Sequence, residues 1–505
     1  MFGFLSLLPP MTAVVLSLLT KEVIFSLFMG LILGVAVYSV GIGIGVFEAL
    51  RMPFDLIAGS LSSNIFTIIF SFALGGLSRI LLESGGSFAY AKYFKRKTKS
   101  KTLSQLFFVG LSFLFSIDDY FNCLATGAIM RPVTDGYKIS RSKLAYILDA
   151  TSAPLCVLMP ISSWAAAIIS CFKNSKINSM EVFLKTIPYN FYSVFTIVFL
   201  LFVILSSRDF GKMSVLEKSA REGNDMSSNL KNEEKTGNKY GNIFDLIIPI
   251  LVLIFISVLL ILETGGFFKN KNLGLVEVLS GANVSISIIT GVFVALFSSL
   301  ILTYVNRTLP FDRFVSYFVE GGKSIVSSQL LLTLVWSMSS LCKNYLMMDV
   351  YINSIMRSPK FSVSLYPFIF FIISSFLSFA IGSSWGTFGV LLPIVVSILS
   401  ENNTEVMIYC CAAVLSGSIF GTHCSPISDN TVMAAAGANC KHMEHVASQT
   451  PYSYFVAIIS SLGFLILGFT HNLIISMFFM LISMFLGFYV LTGKTNLKSK
   501  EEIIN

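Results

Sequence analysis

Long apolar runs recur along the whole chain and limit the folds that it can adopt. About 20 apolar residues cross a bilayer as an α-helix, and runs of this kind fill most of the 505 residues. They are continuously apolar and do not alternate with a period of two, which argues against a β-barrel. Because 54% of the residues are hydrophobic and 12% charged, a soluble protein is excluded. The sequence predicts an all-α polytopic membrane protein with about 10–13 transmembrane helices.

Two adjacent acids, Asp118 and Asp119, are the only charged residues in the apolar stretch 102–130. A carboxylate in the middle of a transmembrane segment costs about 2.5–3.5 kcal/mol on insertion scales, and a pair costs more. Basic loops precede and follow this stretch, which predicts that the segment is broken or re-enters the membrane. A helix end in the headgroup region is the alternative, but we favour a cation or proton site.

A polar segment divides the apolar runs into two groups. Residues 206–242 are rich in Lys, Glu, Asn, Ser and Gly, a composition that cannot bury a core, so we expect a solvated linker loop. The predicted organisation is an N-terminal membrane half (1–205), the linker (206–242), a C-terminal membrane half (243–492) and a polar tail (493–505). The net charge of +8 comes mostly from loops and ends, which indicates cytoplasmic loops and no nucleic-acid interface.

The two halves share a short pattern. Residues 159–163 read MPISS and residues 425–429 read SPISD, and at the same separation Asp118 corresponds to Ser384 in the polar break 382–387. Interrupted helices in corresponding positions of two halves point to the binding site of a transporter. We therefore expect two repeat-related halves with broken or re-entrant segments, whose relative orientation the sequence leaves open.

Four apolar stretches, 116–123, 144–172, 361–400 and 407–440, hold nearly all the polar side chains within the membrane segments. Sodium prefers oxygen ligands, and helix breaks free backbone carbonyls that are tolerated where they line a cavity. A carboxylate can be neutralised by a proton or by a metal cation, so both can compete for one site. The residues predicted to bind ions or couple protons are Asp118, Asp119, Asn122, Asp149, Thr151, Ser152, Ser428, Asp429, Asn430 and Thr431.

Further polar residues beside the breaks are candidates for lining this site: Ser162, Ser163, Ser383, Ser384, Thr387 and His423. The serines and threonines have an alternative role as small packing residues between helices. Asp149 and Asp429 have an alternative role as helix caps.

Cys440, His442 and His445 have the spacing of metal ligands, yet they lie at a segment end beside Lys441 and Glu444. This position favours a solvated terminus, so we expect no structural metal and no cofactor.

Two other function classes fit the sequence less well. His423 and Asp429 beside Cys424 and Ser425 could form the catalytic group of an intramembrane hydrolase, but the G-x-S-x-G elbow is absent. We therefore do not expect an enzyme. A cation channel could use paired carboxylates as a filter, although single acids distributed over two halves suit alternating access better.

At these residues the chain resembles the NhaC family of sodium/proton antiporters. The motifs are SIDDYFNCLATGAIMRPVTDGYKISRSKLAYILDATSAPLCVLMPISSWAA at 116–166, GSSWGTFGVLLP at 382–393 and GSIFGTHCSPISDNTVMAAAGANCKHMEHVASQTPYS at 417–453. The resemblance implies two repeats with re-entrant hairpins, Na⁺ and H⁺ as transported ions, and a homodimer in the lipid bilayer. We expect a multi-pass protein of the plasma (inner) membrane.

The function that the sequence favours is exchange of cytoplasmic sodium for external protons by alternating access. The same family includes exchangers that couple sodium and protons to organic acids such as malate and lactate, and this is the alternative. A dicarboxylate site would need positive charge, yet the four polar stretches contain no Lys or Arg. Helix N-termini and a charged His423 could substitute for them.

Overall fold

The computed structural model describes residues 2–20, 22–86, 89, 93, 100–172, 178–224, 241–269, 278, 282–348, 350–351, 362–399, 403–426 and 428–504. These ranges are almost entirely helical and contain no β-strand, which confirms the all-α prediction. The helices up to residue 221 are α1 Leu8–Thr20, α2 Val23–Ile42, α3 Val46–Ser63, α4 Ile65–Glu83, α5 Lys101–Leu114, α6 Asp119–Phe121, α7 Gly127–Gly136, α8 Arg141–Thr151, α9 Ala153–Leu158, α10 Ser163–Phe172, α11 Ser179–Thr186, α12 Phe191–Ser206 and α13 Gly211–Arg221.

The second group of helices follows the polar segment. In chain order these are α14 Phe244–Thr264, α15 Val284–Val305, α16 Phe311–Ser324, α17 Val326–Ser340, α18 Tyr366–Ile381, α19 Ser384–Leu399, α20 Thr404–Cys424, α21 Asp429–Ala438, α22 His442–Thr470 and α23 Leu473–Ile504. Two π-helical turns, Asn122–Thr126 and Leu341–Tyr345, interrupt the regular helices.

In the described ranges, nine helices are long and apolar enough to cross a membrane, and a tenth span results if the bent pair Arg141–Leu158 and Ser163–Phe172 counts as one. This number lies at the lower edge of the predicted range because several apolar runs are broken into shorter helices. Lys101–Leu114 has 14 residues, which rise only about 21 Å against a hydrocarbon core of about 30 Å. The apolar stretch around Asp118 is therefore not one continuous span.

The polar segment 206–242 is not a loop throughout, which corrects the sequence prediction. Residues Gly211–Arg221 form α13, and Met213, Leu216 and Ala220 on its inner face are buried. Glu217 is also buried and accepts hydrogen bonds from Lys101 Nζ and from the backbone N–H of Ser140, each at 2.7 Å. Because the segment contains many charged residues, its overall composition does not reveal that one face of α13 is apolar. Residues 225–240 lie outside the described residues, as do 90–92 and 94–99 of the basic loop.

Helix α20 forms the centre of the packed structure. Nearly all of its residues are buried, and it packs against α12, α18, α19 and α22. A side chain at Gly417 or Gly421 would collide with the backbone of α18, so these glycines let the two helices approach closely. Serine hydroxyls join the helices, because Ser374 Oγ donates to the Val414 carbonyl at 2.6 Å and Ser384 Oγ to the Ser418 carbonyl at 2.9 Å. The start of α19 is thereby fixed against α20.

The helices begin and end at corresponding positions around the two similar sequences, residues 159–163 and 425–429. Helix α9 ends at Leu158 and α20 at Cys424, while α10 begins at Ser163 and α21 at Asp429. The preceding serine caps each new helix: Ser162 Oγ accepts from Ala165 N at 3.0 Å, and Ser428 Oγ from Thr431 N at 3.5 Å. These matches favour related halves, and the repeat itself stays a prediction.

Replacing Gly437 with alanine should destabilise the structure. A Cβ at this position would overlap the Cys123 carbonyl in the π-helical turn and leave no room for α21. Overpacking of this kind costs about 1–3 kcal/mol, so the midpoint of thermal unfolding in detergent should fall. Gly110→Ala is the matched control, because no atom lies within 4 Å of its added Cβ. Equal midpoints for the two variants would contradict this packing.

Candidate functional site

The Asp118–Asp119 pair lies where the helix breaks. Helix α5 ends at Leu114, a turn follows, and α6 restarts the chain at Asp119 before the π-helical turn Asn122–Thr126. Short π-helical turns inside helices are rare and occur frequently at functional sites. Asp118 is 5% exposed and Asp119 is 1% exposed, so the break buries both acids.

Asp119 has no hydrogen-bond partner for either carboxylate oxygen among the described residues. The polar groups around it include the indole of Trp164, and Asp118 and Asp429 are close enough for electrostatic repulsion. A buried carboxylate without donors is strongly unfavourable unless a proton or a cation neutralises it. At the break, the Asp119 carboxylate is therefore the group that most needs a bound proton or cation.

Ser163 connects the second polar stretch to the same break. Its backbone N–H donates to the Ile117 carbonyl at 2.8 Å, and its hydroxyl is buried without a hydrogen-bond partner in the described part of the chain. The next residue, Trp164, contacts Trp385 with ring centroids 6.1 Å apart. The beginnings of α10 and α19 thus lie together beside the acid pair.

Asp429 reaches the first polar stretch from the C-terminal half. Its Oδ2 accepts a hydrogen bond from Tyr120 Oη at 2.6 Å, and its Oδ1 accepts from the Asn430 backbone N–H at 2.8 Å. The helix cap is Ser428, and Asp429 is the first helical residue, so the predicted capping role belongs to its neighbour. The Asp429 backbone N–H also donates to the Gly382 carbonyl at 3.4 Å. Residues from all four polar stretches are therefore in contact.

Asp149 belongs to a second group of side chains. It is fully buried inside α8, which excludes the predicted alternative of a cap at a helix N-terminus. Its Oδ2 accepts from Gln449 Nε2 at 2.6 Å and lies 3.3 Å from His445 Nε2. Its Oδ1 lies 3.7 Å from His423 Nε2. On the other side of that ring, Nδ1 lies 3.0 Å from Tyr192 Oη.

The expected solvated terminus at residues 440–445 is wrong for two of its three residues. Cys440 is 4% exposed and His445 is fully buried, because α22 begins at His442 and turns His445 toward α8. His442 keeps a half-buried position with Nε2 2.7 Å from the Pro426 carbonyl. The described residues contain no group of three or more His, Cys, Asp or Glu side chains that could hold a metal ion.

Sequence reasoning missed Tyr120, Tyr192, His445 and Gln449. A signal existed for two of them, because His445 and Gln449 are four residues apart and so share one helix face. The tyrosines carried no comparable signal, since only the packing of distant segments brings them to Asp429 and His423.

Asn122 acts as a connector in the structure. Its side-chain amide donates to the carbonyls of Ser112 at 2.9 Å and Thr151 at 3.1 Å. Its oxygen accepts a hydrogen bond from Thr126 Oγ1 at 2.9 Å. The predicted oxygen donor thus joins α5, the π-helical turn and the end of α8.

Several other side chains that were predicted as oxygen ligands for the ion form hydrogen bonds with backbone groups at the breaks. Each of the following hydroxyls makes a hydrogen bond to a backbone group within seven residues: Thr151, Ser152, Ser162, Ser383, Thr387, Ser428 and Thr431. Ser384 bonds across to α20, and Asn430 is buried beside Asp429. The packing and capping alternatives account for these hydroxyl contacts, whereas Ser163 is left with an unused oxygen.

Residues 155–469 of the chain match the Na⁺/H⁺ antiporter family. The chain is 33% identical to an uncharacterized protein of Haemophilus influenzae over 480 residues, which cover 92% of this chain and 91% of that protein. It is also 33% identical to the malate-2H⁺/Na⁺-lactate antiporter of Bacillus subtilis over 101 residues, 20% of this chain and 21% of that one.

Two solved structures are similar to this one. The YdaH transporter of Alcanivorax borkumensis gives a TM-score of 0.50 at 12% identity, covering 84% of this chain and 90% of that chain. MtrF of Neisseria gonorrhoeae gives a TM-score of 0.46 at 16% identity, covering 84% and 85%. Only the YdaH likeness bears on the fold, and it agrees with a transporter architecture.

The apolar helices, the broken segments and the buried acids define a multi-pass membrane transporter. The chain belongs to the Na⁺/H⁺ antiporter family. Its membership confirms the NhaC-type resemblance, and it implies Na⁺ and H⁺ as the transported ions.

Replacing Asn122 with alanine should destabilise the protein with or without sodium. The change leaves the Ser112 and Thr151 carbonyls and the Thr126 hydroxyl without a partner, at about 1–3 kcal/mol for each buried group left unsatisfied. Thermal unfolding should be measured in sodium chloride and in choline chloride, with exposed Asn344→Ala as the control. A loss of stability confined to the sodium sample would instead identify Asn122 as a sodium ligand.

Proposed function

We propose that this chain exchanges Na⁺ for H⁺ by alternating access, and that Asp119 is the group that the two ions neutralise in turn. The single observation that carries the proposal is a fully buried carboxylate whose two oxygens have no hydrogen-bond donor in the described part of the chain. Such a group is stable when protonated or when a cation occupies its oxygens. Competition for one charge makes the two ions exclude each other, which is the requirement for exchange.

The surroundings of Asp119 suit a small hard cation. Asp118 supplies a second carboxylate, and Ser163 supplies a buried hydroxyl oxygen without another partner. Backbone carbonyls freed at the helix break add neutral oxygen ligands of the kind that sodium prefers. The indole N–H of Trp164 is also buried without a hydrogen-bond partner in the described part of the chain, so it is free to contact the ions or water that enter the site.

Asp429 and Tyr120 connect the site to the second half. Their 2.6 Å hydrogen bond holds a third carboxylate beside the acid pair without neutralising it. Like charges close together cannot all stay ionised in an apolar environment. We infer that this third acid makes the empty, deprotonated site unfavourable and drives uptake of either ion.

A polar cavity supports a route to the site. It has a volume of about 360 Å³ and is lined in part by Asn64, Ser170, Asn344 and Gly389. Ser170 lies toward the end of α10, and Gly389 lies one and a half turns into α19. The first residues of α10 and α19 lie near the helix break, so these two helices connect the cavity lining with the site. Small movements of their starting points would open or close that path.

The direction and setting of transport are part of the proposal. We propose that cytoplasmic Na⁺ leaves as external H⁺ enters, in the plasma (inner) membrane, and that the chain forms a homodimer. The inward proton gradient then supplies the driving force. Exchange of one proton for one sodium ion moves no net charge, so the membrane potential, about 2.3 kcal/mol per charge per 100 mV, contributes only when the numbers of the two ions differ.

An organic-acid exchanger is the second candidate function. A partial match to the malate-2H⁺/Na⁺-lactate antiporter supports it over one fifth of the chain. The buried imidazoles of His423 and His445 add positive charge when protonated, which the polar stretches otherwise lack. Their contact with Asp149 favours the inorganic cation, because that carboxylate already pairs with both rings.

Asp119→Asn should abolish sodium-dependent proton movement. In everted membrane vesicles with an acid interior, added Na⁺ should dissipate the proton gradient of the wild-type chain, as followed by a pH-sensitive dye. The neutral amide has no negative charge for Na⁺ to neutralise and no proton to release, so the Na⁺-induced dye response should fall by more than about tenfold. The exposed acid variant Asp312→Asn should respond like the wild type.

Three results would redirect the proposal. Full exchange in Asp119→Asn would contradict the site, while a gradient change with malate or lactate and none with Na⁺ would select the organic-acid exchanger. A large current without proton exchange would indicate a channel.

Alanine variants of two neighbouring serines should distinguish an effect on ion binding from an effect on stability. Ser163→Ala removes an unpaired oxygen, so the Na⁺ concentration for half-maximal exchange should rise about three- to tenfold, as expected for one polar contact of 0.5–1.5 kcal/mol. Ser162→Ala removes a helix cap and should lower stability by about 1 kcal/mol without a comparable change in sodium affinity. The reverse pattern would exclude Ser163 as a ligand.

A further inference from the structure

Three helices bring Asp149, His423 and His445 together away from the carboxylates at the helix break. Asp149 lies in α8, His423 at the end of α20 and His445 near the start of α22. All three residues are buried, with at most 1% exposure. The proposed exchange at Asp119 does not use them, so their ionisation needs a separate explanation.

The charges of these three side chains balance only when the group holds an additional proton. A carboxylate with two neutral imidazoles has a net charge of −1, and Gln449 is neutral. Burying a net charge away from water is strongly unfavourable, whereas a carboxylate paired with one imidazolium, or one protonated carboxyl, is neutral. We propose that Asp149, His423 and His445 form a second proton-binding site, separate from the cation site at Asp119.

The contacts place two proton positions on opposite sides of one carboxylate. Asp149 Oδ1 and His423 Nε2 are 3.7 Å apart, and neither has another hydrogen-bond partner in the described ranges. Asp149 Oδ2 lies 3.3 Å from His445 Nε2, whose ring has an unpartnered Nδ1. A proton on His445 Nε2 would be donated to Oδ2, and a protonated His423 would form an ion pair with Oδ1. The site can therefore take up a first proton without creating a net charge, and a second proton would give it a net charge of +1.

Gln449 and Tyr192 position the group. Gln449 Nε2 donates both to Asp149 Oδ2 at 2.6 Å and to the His423 carbonyl at 2.9 Å, which fixes the distance between the two elements. Tyr192 Oη lies 3.0 Å from His423 Nδ1 and can donate to the neutral ring or accept from the charged one. Both proton states of His423 thus keep a partner.

Other titratable groups face this site from the surrounding elements. The groups that interact with Asp149 are Cys123 in the π-helical turn, Cys424 in α20 and Asp429 in α21. Two phenols lie farther out: Tyr146 of α8 interacts with Tyr192, and Tyr452 of α22 contacts Tyr146. The thiols and phenols are neutral near pH 7, so Asp429 is the acid among these five. Lys143 lies one helical turn away from Tyr146 and pairs with Asp209.

Asp429 gives the second proton site an electrostatic link to the cation site. It interacts with Asp149 and also with Asp119. A proton held by the histidines adds positive charge on one side of Asp429, and Na⁺ adds it on the other. Each occupant therefore weakens binding of the other, and the effect is reciprocal. This coupling rests on the proposed function, whereas the existence of the proton site does not.

Histidine titration tests the site without transport. The chain contains four histidines, and NMR of the ¹⁵N-histidine-labelled protein in detergent can follow each ring, with His423→Gln and His445→Gln for assignment. Asp149→Asn should change the pH-dependent signals of the His423 and His445 rings, because it removes their acid partner, and Asp119→Asn should change them much less. Exposed His471 is the internal reference. Signals of His423 and His445 that follow pH identically in the wild type and in Asp149→Asn would overturn the proposal.

The coupling is tested by the pH dependence of sodium binding. For each proton displaced by Na⁺, apparent affinity changes by about tenfold per pH unit, so His423→Gln and His445→Gln should give a shallower dependence than the wild type and His471→Gln. An unchanged slope in both variants would reject the coupling. If the wild-type chain does not bind Na⁺, the proposed exchange fails, while the histidine titration still decides whether the second proton site exists.

Discussion

Backbone hydrogen bonding at the helix breaks is the constraint on which the rest of the structure depends. In the apolar part of a membrane every N–H and C=O needs a partner inside the protein, and an interrupted helix leaves several of them free. Here the breaks satisfy one another. Ser163 N–H bonds to the Ile117 carbonyl, and Asp429 N–H bonds to the Gly382 carbonyl. These two bonds tie distant parts of the chain together, and they fix the places from which the acid side chains project.

The breaks divide the buried acids into two chemical environments. Among the described residues, Asp119 lies near other acids and neutral groups, so a proton or a cation that enters the site is needed to balance its charge. Asp149 meets two imidazoles and an amide, so its charge can be balanced by a proton within the group. The difference comes from the neighbouring helix and not from burial, since both side chains are at most 1% exposed. It favours a cation at the first group and a proton at the second.

The sequence was sufficient for the fold class and for the position of the breaks. Apolar runs, prolines and the Asp118–Asp119 pair depend on local composition, which a single sequence displays. It could not show which acid joins which partner, because Asp149 meets His445 only through the packing of α8 against α22. Nor did it show α13, whose buried residues alternate with charged ones. Packing between distant segments decided each of these points.

Helix α21 is the element that joins the two acid groups. It has 10 residues and begins with Asp429, whose carboxylate accepts from Tyr120. Along its length it packs against the π-helical turn and α8, so it lies between the break that carries Asp119 and the helix that carries Asp149. Ser428 caps its start, and Arg141 Nη1 donates to the Ala438 carbonyl at its end at 2.9 Å. A Cβ at Gly437 would meet the Cys123 carbonyl, so α21 lies directly against the turn that follows Asp119. Its packing therefore sets the position of Asp429 between the two acid groups.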